Sequence, residues 1–118
     1  MKFEDGVVGN AVVVSVEGRV DAANADLFEA HCRHTLARHN GKNLVLGFGS
    51  VSYLSSAGLR AVLSLDKQVK AAGGKLVLFG IRGAVREIFQ LAGFLNLFPI
   101  TDTLEQALGL PMGGNPPT

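Results

Sequence analysis

The chain has 118 residues, the size of one ordinary domain and not of two. Hydrophobic residues make up 47% and charged residues 18%, which predicts a packed core and excludes wholesale disorder. Eleven basic against ten acidic residues leave a charge of +1 with no excess for a basic nucleic-acid face, and the single cysteine, Cys32, excludes an internal disulfide framework and a cysteine-based zinc site.

The apolar residues change period along the chain. Phe3 to Val8, the turn pair Gly9-Asn10 and the β-branched run Ala11 to Val16 predict a β-hairpin, with Gly18 as its stop. Ala25, Phe28, Cys32 and Leu36 recur at spacings of three and four, one apolar helix face, closed by Asn40-Gly41 as a left-handed C-cap. Leu44 to Phe48 reads as a second buried strand. Gly58, Val62, Leu65 and Val69, widened by Leu59 and Leu63, form the next helical stripe, which Gly73-Gly74 ends. A strand over Lys75 to Phe79 follows, then a helix carrying Val85, Ile88, Phe89 and Ala92 up to Gly93. Phe98 to Thr101 gives a short strand, and Leu104, Ala107 and Leu108 a last helix capped by Asp102 or Thr103. Pro111 to Thr118 has no apolar period, so residues 111–118 are expected to be a disordered tail and residues 1–110 the domain.

This alternation predicts an α/β fold: a mixed sheet of four or five strands with four helices mainly flanking one side. Leu59, Val62 and Leu63 should pack under the sheet together with Phe28 and Phe89. The longest uncharged run, between Lys42 and Arg60, is too short and too polar to span a bilayer. No basic segment followed by an apolar one opens the chain, so a soluble, cytoplasmic protein is expected.

The informative stretch is Val51-Ser52-Tyr53-Leu54-Ser55-Ser56-Ala57-Gly58-Leu59-Arg60, which joins a buried strand to an amphipathic helix. A serine at the helix start accepts a hydrogen bond from an otherwise unpaired backbone N–H, and that capping role is one reading of the pair. In the other, one serine caps while its neighbour presents a hydroxyl to a partner. A phosphate there would meet free N–H groups and the positive end of the helix dipole, and would add nearly two negative charges to an uncharged stretch.

Tyr53-Leu54-Ser55-Ser56-Ala57-Gly58-Leu59 resembles the signature of the STAS domain, in its anti-sigma-factor-antagonist branch. Val16-Glu17-Gly18-Arg19-Val20-Asp21, Ala71-Ala72-Gly73-Gly74-Lys75-Leu76-Val77-Leu78 and Val85-Arg86-Glu87-Ile88-Phe89 with Gly93-Phe94 match further family segments in the right order and spacing. The resemblance implies a STAS-type sheet and a protein that sequesters an anti-sigma factor, itself often a serine-protein kinase, and so regulates transcription. Phosphorylation of one serine then abolishes binding, and a metal-dependent PP2C-type phosphatase restores it. Carried over residue by residue, the acceptor is Ser56, with Gly58 as the matching glycine, and the binding face holds Asp21, Leu54, Ser55, Ser56, Ala57 and Gly58. Two positions depart from the pattern. Ser55 stands where the family often has an aspartate, which makes it a rival acceptor, and Gly47 stands where an aspartate is common. No cofactor is implied, since ATP belongs to the kinase partner, and neither direct nucleic-acid contact nor membrane insertion is expected.

Other constellations have plainer readings. His31 and His34 could share a helix face, but no third ligand accompanies them and His39 lies too far along; solvated histidines beside a buried Cys32 are expected. Gly80-Ile81-Arg82-Gly83 lacks the glycine spacing and lysine of a phosphate loop and reads as a tight turn. Asp21 is either a turn residue or part of the binding face. No Ser–His–acid or paired-carboxylate arrangement can be argued, so no enzyme is read here. A constitutive STAS subunit, for example of a lipid-transport ATPase, and a small-ligand sensor are the competing functions.

Overall fold

Five strands and four helices alternate along the chain: β1 (Lys2–Val8), β2 (Ala11–Val20), α1 (Ala25–Arg38), β3 (Asn43–Leu54), α2 (Ser56–Ala71), β4 (Leu76–Phe79), α3 (Gly83–Leu91), β5 (Ile100–Thr101) and α4 (Leu104–Leu108). The structure is a computed structural model and describes residues 1–113. The sheet has the spatial order β1-β2-β3-β4-β5. Val8 pairs with Ala11 across the Gly9-Asn10 turn, so β1 and β2 form the antiparallel hairpin; β2–β3, β3–β4 and β4–β5 are parallel. Parallel strands joined through helices put every strand-to-helix turn at the C-terminal end of the strands, and there the serine pair sits, after the central strand.

Two strands outrun their sequence signals. Gly18 does not stop β2: at φ +104° it sits in a bulged stretch where the register with β3 shifts, between Ser15 and Glu17 and again between Gly18 and Arg19. β3 continues past Phe48 to Leu54, with Val51 and Leu54 buried while Ser50, Ser52 and Tyr53 are exposed. Because β4 pairs with β3 only as far as Gly47, the last stretch of β3 has β2 as its one strand partner.

α1, α2 and α3 cover one face of the sheet and α4 the other. On the first face Val12, Val14 and Val16 of β2 and Leu44, Leu46 and Phe48 of β3 meet Phe28 and Cys32 of α1, Val62 and Leu65 of α2, and Phe89 of α3. A chain of aromatic contacts, Phe28–Phe48–Phe89–Phe94–Phe98, runs through it with ring centroids 5.9 to 6.3 Å apart in edge-on or tilted geometry. Leu59 and Val62 are buried as expected, but Leu63 is only half-buried at the margin; Leu65, 0% exposed, holds the deep position. Ala92 is exposed and serves as the C-cap of α3 instead of extending its apolar face. Asn40, at φ +50°, adopts the left-handed conformation its place after α1 requires. Thr103 caps α4 in a capping box with Gln106.

The second face is smaller. Ala11, Val13, Val45 and Val77 pack on Ala107 of α4, with Leu104, Leu108, Leu110 and Met112 half-buried around them. The tail expectation is therefore corrected for residues 111–113. Met112 packs on this cluster, and the Gly113 backbone hydrogen-bonds to Asn43 through both its N–H and its C=O. The remainder of that expectation, residues 114–118, lies outside the described residues.

Candidate switch site

Val20 and Leu54 are register partners at the ends of two neighbouring parallel strands, so the turns after them, Asp21 and Ser55, leave the sheet side by side. The Ser55 N–H donates to the Val20 carbonyl at 2.9 Å, which extends the ladder by one bond before α2 begins. Ser55 is the N-cap of α2: its backbone is extended, at φ −86° and ψ 173°, and its Oγ accepts from the Gly58 N–H at 3.3 Å. Ser56 is the first helical residue and is exposed, whereas Ser55 is half-buried. The two serines are thus distinguished by geometry, one hydroxyl engaged in the cap and the other directed to the surface.

Beneath them, Leu54 is 1% exposed and Gly58 is buried. A Cβ on Gly58 would lie 2.5 Å from Leu54 Cδ1 and 3.1 Å from Val20 Cγ1, so glycine lets the first turn of α2 rest on the strand ends. Ala57 is half-buried against the core. Of the residues grouped by sequence, then, Leu54 and Gly58 shape the site from below, while Asp21, Ser55, Ser56 and Ala57 supply its surface.

Asp21 forms a tight turn into α1. Its Oδ1 accepts from the Ala23 N–H at 3.0 Å, its carbonyl accepts from the Ala25 N–H at 2.9 Å, and its own N–H donates to Asn24 Oδ1 at 2.9 Å. Asn24 closes the loop by donating its Nδ2 to the Arg19 carbonyl at 2.9 Å. Arg19 and Tyr53 stand within the quoted motifs without an assigned role. They are register partners one residue before the Val20–Leu54 pair, and the Arg19 guanidinium stacks 4.4 Å from the Tyr53 ring centroid. Their adjacency depends on the bulges in β2, which nothing in the residue pattern announces.

The electrostatics of α2 suit an anion at Ser56. Its first turn holds no acidic residue, its positive dipole end faces Ser56, and exposed Arg60 stands four residues on, one helical turn away. The two departures from the family pattern have physical counterparts. Ser55 keeps the capping function through its hydroxyl, and Gly47 is roofed by Phe79, whose ring Cζ would stand 2.4 Å from a Cβ placed there.

The remaining candidates take structural parts. His31 is not a free, solvated side chain: its Nε2 lies 2.9 Å from Asp5 Oδ1 and its ring stacks on Phe3 at 3.9 Å with a 6° interplanar angle. His34 and His39 are exposed. Among the described residues no group of three or more His, Cys, Asp or Glu could hold a metal ion. Burial pushes the Cys32 thiol far above its ordinary pKa, and the carboxylates of Asp5 and Glu29 add to the shift. Gly80 and Gly83 both take positive φ, and Arg82 donates to the Gly49 carbonyl at 2.8 Å, tying this turn to β3. Among the described residues no helix is long and apolar enough to cross a membrane.

Comparison with known proteins places this geometry. The STAS domain family profile matches residues 2–107. The chain is 36% identical over 107 residues to BtrV of Bordetella bronchiseptica, named as an anti-sigma factor antagonist, with 91% of each chain covered. In fold it is similar to TM1081 of Thermotoga maritima, named as an anti-sigma factor antagonist, with a TM-score of 0.83 and 20% identity, over 90% of this chain and 91% of that one. It is also similar to the phosphorylated form of the Bacillus cell fate determinant SpoIIAA, with a TM-score of 0.70 and 21% identity, over 91% of this chain and 96% of that one.

Proposed function

This chain belongs to the STAS domain family, and from that premise we propose that it is an anti-sigma-factor antagonist whose partner binding is switched by phosphate on Ser56. The observation that carries the choice of residue is the division of labour between the two serines. Ser55 Oγ is occupied as the N-cap of α2, and the exposed Ser56 hydroxyl is open to a kinase. A phosphate on Ser56 would face the first-turn amides of α2 with no carboxylate in that turn, so the fold tolerates it. It would also place nearly two negative charges and three strong acceptors on the surface that Asp21, Ser55 and Ala57 share. Desolvating that dianion in an interface is costly, and this cost is the physical basis of release.

The partner in this reading is an anti-sigma factor with serine-kinase activity, which brings the ATP, and a PP2C-type phosphatase resets the switch in the cytoplasm. The chain itself acts by binding and needs no cofactor. The test incubates the protein with its kinase and ATP, maps the modified residue by mass spectrometry, and measures complex formation for the wild type, Ser56→Ala and Ser56→Asp. Phosphate on Ser56, retained binding by Ser56→Ala and weakened binding by Ser56→Asp are the expected results. Phosphate on Ser55 alone would move the acceptor, and no phosphate on either serine would favour a constitutive interaction subunit.

A further inference from the structure

At the end of the sheet opposite Ser56 lies a buried polar residue that the switch does not use. Asn43 opens β3 and is 0% exposed, in a position where an unpaired amide would be costly. Its carboxamide is fully engaged. Nδ2 donates to the Asn10 carbonyl at 3.1 Å and to the Gly113 carbonyl at 2.8 Å, while Oδ1 accepts from the Lys75 N–H and the Gly113 N–H, both at 2.9 Å. One side chain thereby joins the β1–β2 turn, the entry to β4 and the segment after α4. Toward Gly113 it presents one donor and one acceptor to the N–H and C=O of a single residue, as a neighbouring strand would.

The fit around Gly113 is specific. A Cβ there would lie 2.4 Å from the Gly73 carbonyl oxygen and 2.7 Å from Gly74 Cα, so only glycine sits in this place without displacing backbone. Leu110 and Met112, on the same segment, cover the small second-face core around Val13, Val45 and Val77. Gly113, together with Asn10, Asn43 and Lys42, also walls a cavity of about 280 Å³ at this edge.

We propose that Leu110–Gly113 is a docked strap and that Asn43 is its receptor, recognising the strap by its main chain while Gly113 is required for entry. The strap seals the N-terminal edge of the parallel strands and completes the second core. It acts through stability and not through the switch, because Leu54 lies eleven positions along β3 from Asn43, on the order of 35 Å of strand.

The test uses the full chain. Amide exchange should find the Gly113 N–H protected at least roughly tenfold over an unstructured glycine. Gly113→Val should abolish that protection and lower the melting temperature while leaving binding of the anti-sigma partner, or of any Ser56-directed kinase, unchanged. Asn43→Ala combined with Gly113→Val should cost less than the sum of the two single changes, since both remove the same contact. A Gly113 amide exchanging at the unstructured rate in the wild type, or strictly additive effects, would overturn the proposal. Failure of Ser56 phosphorylation would leave it standing, since none of these readouts passes through the switch.

Discussion

Ser55 and Ser56 are chemically identical, and the sequence leaves either free to cap the helix or meet a kinase. Backbone geometry separates them: Ser55 is extended and accepts from Gly58, while Ser56 is already helical and exposed. Ser55→Ala should therefore destabilise the fold by about 1 kcal/mol, the usual cost of losing an N-cap hydroxyl. Ser56→Ala should stay within about 0.5 kcal/mol of wild type, as for surface changes that break no cap or core contact. Urea denaturation of the two variants checks the pair, and an equal cost for both would show that the cap is shared. Gly47 makes a second residue-scale test. Its missing side chain is the space in which Phe79 lies, so Gly47→Asp should cost at least about 1–3 kcal/mol through overpacking and a buried carboxylate. Restoring the family's common aspartate at that site thus damages this chain, a result that chemical denaturation would register.

At the scale of elements, α2 carries both the proposed switch residue and much of the core, and two of its leucines differ in a measurable way. Leu65 is 0% exposed and Leu63 half-buried, so Leu65→Ala should cost about 2–5 kcal/mol and Leu63→Ala clearly less. Thermal melts of both variants measure the difference, and equal losses would mean that Leu63 reaches the deep core. The sequence makes Leu63 look central because Leu59 and Leu63, four residues apart, both widen the stripe on the same flank, and spacing alone does not show how far round the core extends. The helix face was fully legible on α1, where Ala25, Phe28, Cys32 and Leu36 are all buried, whereas on α3 the spacing runs one residue too far, to the exposed Ala92. Strand ends were not. Gly18 reads as a stop because glycine usually breaks a strand, whereas here it supplies the positive φ of a bulge that a neighbouring strand holds in register. The polar tip of β3 reads as loop because Ser50, Ser52 and Tyr53 face outward, although the backbone still pairs with β2. The serine turn itself was visible, since a capping residue before an apolar period is a local signal. The Arg19–Tyr53 stack and the Asn43 receptor were invisible, since both are made by residues distant in sequence and depend on strand pairing alone.

On the scale of the whole molecule, the proposed switch residue follows the central strand of a sheet whose inner strands pack against helices on both faces, so modification at Ser56 should change association without opening the fold. Cys32 offers an internal gauge of that claim. It lies at 0% exposure on the inner face of α1, among Phe28, Leu36 and the strands of the first core, and its thiol is held protonated by burial with Asp5 and Glu29 adding to the shift. Both access and thiolate formation are denied in the native state, so an alkylating reagent reaches it only when the core opens. A domain of ordinary stability should then react more slowly than its unfolded chain by on the order of a thousandfold or more at neutral pH. Leu65→Ala should speed labelling about tenfold for each 1.4 kcal/mol it removes, if opening is global. Phosphorylated protein should label at the rate of the unmodified chain, because a phosphate seated at the start of α2 leaves the core packing intact. Mass spectrometry of timed alkylation reads all three rates. Faster labelling on phosphorylation would mean that the phosphate loosens α1 or α2 and that release works by deforming the domain; an unchanged rate together with lost binding places the whole effect at the surface around Ser56.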